Sequence, residues 1–304
     1  MNNSHKFIHY LLLFFGVLAI STSAIFVKLS AAPTPIIATY RLLFSTLMIL
    51  PVVIFNKKYI LEIKKLKFKQ LGAVFSSGIF LAIHYILWFE SLRYTSVASS
   101  TVLVTMQPLF AFIGSYFFFG EKLKKLSLFG GLLSILGSCI IGLGDFQIGG
   151  IALLGDLLAL LAAGVITAYF LIGQSIRQEL SLVVYVFICY LSSSVFLIGY
   201  SVILGYPLIG YQQSDWLCFL GLAFISTILG QTVLNWLIKW LNASTISMSI
   251  LGEPVGTCIL AYLILGESIS YNQILGSIII LLGIGIFLIG KTRRQKIQEI
   301  IPNN

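Results

Sequence analysis

Charge is what this chain has least of. Asp, Glu, Lys and Arg make up 10% of its 304 residues, against roughly 25% in an ordinary soluble domain. The longest connection between apolar runs, residues 56–70, is too short and too lysine-rich to be a domain. Signatures of catalysis and nucleotide binding are missing as well. There is no HExxH, no GxSxG, no glycine-rich loop closed by Lys-Ser/Thr and no aspartate pair at metal spacing. An ATP-driven pump is excluded, and no cofactor is expected. Cysteine is sparse: Cys139, Cys189, Cys218 and Cys258 all fall in apolar runs without CxxC pairing. They read as small packing residues, and neither a disulfide framework nor a metal site is expected.

What the chain has is hydrocarbon, 58% of its residues with a mean hydropathy of +1.01. Ten apolar runs stand near 7–27, 35–55, 71–92, 97–119, 126–144, 151–173, 182–204, 216–238, 245–265 and 273–290. Each is about long enough for a bilayer core, which needs roughly 20 residues. The expected fold is therefore an all-α polytopic membrane protein with ten transmembrane helices. With the N-terminus cytoplasmic, sixteen Lys and Arg fall on inside segments and two, Lys28 and Arg93, outside; Arg41 lies within a span. That bias puts both termini in the cytoplasm and the chain in the cytoplasmic membrane. The net charge of +9 then reports topology. Nucleic acid is not an expected partner, since no folded basic domain presents the lysines.

His5-Lys6, the apolar stretch 8–20 and Ser21-Thr22-Ser23-Ala24 have the layout of a signal peptide. Cleavage is not expected, because it would leave nine spans and destroy an internal repeat. An offset of 146 carries Pro108 onto Pro254, Gly120 onto Gly266, Glu121 onto Glu267, Gly130 onto Gly276, Gly137 onto Gly283 and Gly144 onto Gly290. Six ungapped matches of this kind mark a duplicated unit. Each half, 1–146 and 147–292, holds five spans, an odd number, so the second crosses the membrane in the opposite sense; residues 293–304 form a basic tail. Inverted repeats recur in secondary transporters, with the solute site near the midplane.

Two five-span halves, with Gln107-Pro108 and then Gly120-Glu121 in the fourth span and Glu253-Pro254 and then Gly266-Glu267 in the ninth, resemble the drug/metabolite transporter superfamily, in its ten-helix EamA-type branch. Lys28 followed by Arg41 also looks like that family's pattern. The resemblance covers nearly the whole chain. It implies a gradient-coupled carrier of small organic molecules working by alternating access, with the fifth and tenth spans peripheral. The halves differ at the basic positions: Gln174 and Phe187 stand where the first half has Lys28 and Arg41.

Candidate binding residues are the polar and aromatic groups inside the spans. Arg41 lies six residues past Pro35, roughly 9 Å along a helix; it either anchors a solute carboxylate or phosphate, or neutralises Glu90 or Asp156. His84 and Trp88 share one face of the third span with Ser91, and Tyr85 lies beside them. That face suits stacking on an organic solute, or interhelical packing. Thr227, Gln231, Asn235 and Lys239 form a polar stripe that would be costly against lipid. Gln107 and Glu253 correspond under the repeat. Glu253 sits near the midplane, where a carboxyl either stays protonated or pairs with a cation, and it is the candidate for proton coupling; the alternative is a hydrogen bond to a backbone carbonyl freed by Pro254. Glu121 reads as a surface turn residue and Lys28 as an interfacial anchor. The glycine ridges of the fifth and tenth spans suit close packing, within a half or in a homodimer.

The expected function is secondary transport, in the efflux direction, of a small organic metabolite such as an amino acid or related zwitterion. Substrate contacts are expected from Arg41, His84, Tyr85, Trp88, Gln107, Gln231, Asn235 and Glu253. The alternative is a membrane-embedded enzyme acting on a lipid or isoprenoid phosphate, with Arg41 and Lys28 as anion ligands and Glu253 as base.

Overall fold

The computed structural model describes residues 3–95, 97–142, 151–266 and 268–300. Gly144 and Glu267 of the repeat lie outside them. The first half comprises α1 (Asn3–Leu29), α2 (Thr34–Ile54), a short α3 (Lys57–Lys64), α4 (Phe68–Tyr94), α5 (Val97–Val104), α6 (Gln107–Phe119) and α7 (Lys125–Gly142). The second half has α8 (Ile151–Ile176) and α9 (Leu182–Ile203). Its eighth span is α10 (Gln213–Gly221), a π-helical stretch Leu222–Gln231 and α11 (Thr232–Leu237). The ninth span is α12 (Ala243–Ile250), α13 (Glu253–Leu260) and a π-helical turn Ala261–Leu265. The last helix, α14 (Tyr271–Ile300), carries the tenth span and continues into the tail. Among the described residues, ten helices are long and apolar enough to cross a membrane.

Two of these spans are broken, and the prolines explain where. A helical proline donates no hydrogen bond, and its ring clashes with the carbonyl four residues back. Pro108 therefore stops α5 at Val104, and Pro254 stops α12 at Ile250. Helix resumes at once, because proline suits the first turn of a new helix. Gln107 and Glu253 become the first residues of α6 and α13. Both spans end on a glycine in the left-handed conformation, Gly120 at φ 63° and Gly266 at φ 68°.

The halves interleave rather than stand side by side. α8 packs on α4 and α6, and α1 packs on the π-helical stretch and α13, which is the same relationship seen from the other half. The glycine ridges show it most directly. A Cβ on Gly137 would lie 2.7 Å from the carbonyl oxygen of Gly276, and one on Gly130 would lie 2.6 Å from that of Gly283. Gly276 is the repeat partner of Gly130, and Gly283 that of Gly137. Reciprocal pairing of this kind is the mark of a two-fold relationship. The ridges thus close on each other across the halves, with Ser134 Oγ donating to the Ile280 carbonyl at 3.2 Å. The outward faces carry bare hydrocarbon, such as Phe117 and Leu263, in a quantity that suits lipid and not water.

Candidate functional site

Near the middle of the bundle, seven of the eight expected residues come together. Arg41, His84, Tyr85, Trp88, Gln107, Gln231 and Glu253 line one cavity with Ile20, Ser23, Ile166, Phe170 and Ile250. Asn235 does not reach it. Its Nδ2 donates to the Tyr169 hydroxyl at 2.5 Å, and its backbone carbonyl accepts from Arg177 Nε. The polar stripe thus divides: Thr227 and Gln231, on the π-helical stretch, face the site, while Asn235 stands one turn further on, in α11. Thr227 Oγ1 and Thr232 Oγ1 each donate to the carbonyl five residues back.

Arg41 is 2% exposed. Its Nε donates to Thr227 Oγ1 at 2.9 Å and its Nη1 to Ser23 Oγ at 3.0 Å. The guanidinium also lies 4.4 Å from the centre of the Tyr85 ring, a cation–π contact. Neither carboxylate considered as its neutralising partner is used. Glu90 pairs with Arg93 and accepts from Thr34, and Asp156 accepts from Thr95. The backbone bond considered for Glu253 is absent too: among the described residues nothing donates to its carboxylate or accepts from it. Glu253 is buried at the start of α13, where a helix N-terminus favours negative charge.

The remaining groups form an unsatisfied polar lining. Trp88 Nε1, Gln107 Oε1 and Gln231 Nε2 are buried without a hydrogen-bond partner among the described residues. Two donors and an acceptor left open in one cavity are what a bound polar solute would complete, since an unpaired buried polar group is costly. His84 donates through Nδ1 to the Ala162 carbonyl at 3.0 Å and stacks on Trp88, with ring centres 5.8 Å apart. The cavity holds about 30 Å³, room for a water or two. A metabolite enters only if the surrounding helices part.

The two ends of the bundle differ. At the end carrying most lysines, Glu121 accepts from Ser244 at 3.0 Å and pairs with Lys291 at 3.4 Å. Lys291 also donates to Asn242 Oδ1 and Thr245 Oγ1. Glu121 is therefore no simple surface turn: it ties α6 to the start of α12 and to α14. Towards the other end lies a cavity of about 270 Å³, lined by Lys28, Thr101, Pro254, Thr257, Ser268 and Gln273 among others. Lys28 belongs to that cavity and not to the one with Arg41. Pro254 adjoins Glu253, so the larger cavity reaches to within one residue of the central site.

Sequence reading missed Ser23 and the role of Thr227. The run Ser21-Thr22-Ser23 that mimics the end of a signal peptide is a row of inward hydroxyls, Ser21 and Ser23 buried and Thr22 half-buried. Ser21 Oγ donates to the Glu253 carbonyl, and Thr22 Oγ1 lies 2.8 Å from Ser226 Oγ. A cluster of hydroxyls in an apolar span was the available signal.

A model of the EamA-like transporter family matches the chain twice, over residues 7–143 and 153–289. The riboflavin transporter ImpX of Fusobacterium nucleatum is 27% identical over 250 residues, covering 78% of this chain and 83% of that one. An uncharacterized transporter of Clostridium kluyveri is 27% identical over 235 residues, 73% of this chain and 74% of its own. The transporter YdfC of Bacillus subtilis is 23% identical over 251 residues, 82% and 79% respectively. A solved crystal structure superposes with a TM-score of 0.74 over 93% of this chain and 98% of its own, at 18% identity, a likeness of fold.

Proposed function

The chain belongs to the EamA-like transporter family, and from that premise we propose that it moves a small zwitterionic metabolite, such as an amino acid, by alternating access. It is a membrane transporter and not an enzyme. The lipid-phosphate transferase reading falls with that, and its two anion ligands, Lys28 and Arg41, line different cavities. One observation carries the proposal: a cation and a carboxyl group, Arg41 and Glu253, face one midplane cavity without pairing with each other. Arg41 offers charge and donors to a solute carboxylate. Glu253 accepts an ammonium group or carries a proton. Trp88, Gln107 and Gln231 complete the polar contacts, and His84 and Tyr85 the aromatic wall.

Alternating access is supported by the unequal ends. The Glu121–Lys291 network closes one end, while a larger cavity approaches Glu253 from the other. With the lysine-rich segments cytoplasmic, this conformation is closed to the cytoplasm. The gradient sets the direction of net movement, which in this proposal is efflux.

A second reading has two observations in its favour. The His84–Trp88 stack beside an unpaired indole N–H suits a planar heterocycle, and the Fusobacterium relative is named for riboflavin. Counterflow in proteoliposomes separates the two. Labelled amino acids should exchange saturably and emerge chemically unchanged; exchange of riboflavin alone would establish the second reading, and a covalent product would overturn both.

A further inference from the structure

Away from the central site, a second apolar cavity of about 270 Å³ opens between Met48, Ile49 and Val52 of α2, Leu182, Val183 and Val186 of α9, and Phe224, Ile228 and Thr232 of the eighth span. All three α2 residues lie in its last two turns, and the α9 residues in its first two. The groove is thus at the depth of one leaflet, close to one membrane surface. Its wall is hydrocarbon save for the Thr232 hydroxyl, and that is already committed to the Thr227 carbonyl. Met48, Val52 and Phe224 are exposed, so the groove opens sideways to the bilayer rather than inward to the transport cavity.

Over the same end lies α3. Asn56 caps it by accepting from the Lys58 N–H at 3.0 Å, and Tyr59, Ile63 and Leu66 pack against the core. Glu62 fixes its position, accepting from the Ser181 N–H at 2.6 Å at the start of α9. Ser181 directly precedes groove residue Leu182, and α3 begins five residues after Val52. The helix therefore spans the surface end of both groove walls. Lys57, Lys58, Leu61 and Lys64, at i, i+1, i+4 and i+7, share its exposed face, and Lys65, Lys67 and Lys69 follow at the turn into α4. None of these lysines has a carboxylate at ion-pair distance among the described residues. The one acid of α3 is spent on Ser181. Exposed Leu61 and Phe68 punctuate the lysines, the pattern of a segment lying in a membrane interface.

An apolar slot of leaflet depth beneath a row of uncompensated cations has one complementary molecule in a bilayer. We propose that the groove between α2, α9 and the eighth span, with the lysines of α3 above it, is a binding site for an anionic phospholipid: an acyl chain fills the slot and the phosphate meets Lys57, Lys58, Lys64 and Lys65. The leaflet is the cytoplasmic one by the distribution of lysines. Because α2 belongs to the first half of the repeat and α9 to the second, the lipid would bridge the halves. The site is independent of which solute is carried.

The test uses the full chain in nanodiscs of phosphatidylcholine with a minor fraction of phosphatidylglycerol, read by native mass spectrometry. Phosphatidylglycerol should be retained at least about tenfold over phosphatidylcholine, which needs the attraction of only one or two of the four lysines at the surface. Changing Lys57, Lys58, Lys64 and Lys65 together to Gln should abolish that preference, while the same change at Lys122, Lys124 and Lys125 should leave it. Val52→Trp, which fills the slot and keeps every charge, should also remove it. Glycerol phosphate, which has no acyl chain, should not compete. Equal loss from both lysine sets would reduce the effect to general surface charge. An unaffected Val52→Trp variant, or displacement by glycerol phosphate, would likewise overturn the site. So would enrichment of an acidic protein partner in place of lipid.

Discussion

Arg41 and Glu253 line the same small cavity from opposite halves of the repeat and do not form an ion pair. Arg41 is held back by Thr227, Ser23 and the Tyr85 ring, while Glu253 is set by the helix break at Pro254. A carboxyl left without a direct partner among the described residues is free to exchange a proton or meet a cation. Its counterpart in the first half, Gln107, cannot titrate.

Glu253→Gln removes the proton-binding group and keeps the shape. The expected outcome is a carrier whose exchange no longer varies with pH, while solute counterflow at a fixed pH persists in part. Measuring flux across a pH series for both forms decides it; an unchanged pH profile removes Glu253 from coupling.

Arg41→Lys keeps one positive charge but loses the fork that reaches Thr227 and Ser23 together. A lysine so displaced also loses at least one charge-assisted bond to the solute, and such a bond contributes about 1.5–3 kcal/mol, so solute affinity should fall at least about tenfold. Arg41→Ala should in addition lower the melting temperature, by stranding Thr227 and Ser23 without their donor. Normal transport by both variants would make Arg41 a purely structural charge.

The helix breaks can be probed by Pro108→Ala and Pro254→Ala. Each restores a backbone donor and removes the clash with the carbonyl four residues back, which amounts to about 3 kcal/mol in a continuous helix. The fourth or ninth span should straighten, with stability unchanged or raised and transport reduced. A variant that transports normally would show that the break is not needed for the cycle.

Gly137→Ala places a methyl group 2.7 Å from the Gly276 carbonyl oxygen and 2.8 Å from the Ile280 nitrogen. Backbone cannot yield as a side chain can, so a loss of about 1–3 kcal/mol is expected. Gly72→Ala in α4 meets nothing within 4 Å and should be neutral or stabilising by about 0.5–1 kcal/mol. Thermal unfolding of the two variants in one detergent checks both values.

Much of the architecture was legible in the sequence because its signals are local or periodic. An apolar run of bilayer length is a span whatever surrounds it, and Pro108 and Pro254 interrupt helices by their own covalent structure. The offset of 146 gave the duplication, and an odd number of spans per half gave the inversion. Seven of the eight candidates line one cavity, in keeping with the same logic, since a polar side chain in a span must face something other than lipid. Asn235 lies outside that cavity, a turn past Gln231 on α11, where its amide meets the Tyr169 hydroxyl, a long-range contact that no local pattern announces.

Sequence alone thus determined the spans, the prolines within them, the repeat and most of the polar groups that line the central cavity. Tertiary structure decided which of those groups meet: that Arg41 reaches Thr227 across 186 positions, that Gly137 faces Gly276 across the halves, and that Glu121 is tied to Lys291. Lipid and protein interior are equally apolar, so hydropathy does not tell a helix which neighbour to choose. That choice rests on close backbone approach and on hydrogen bonds between residues far apart in the chain, and these exist only once the helices are packed.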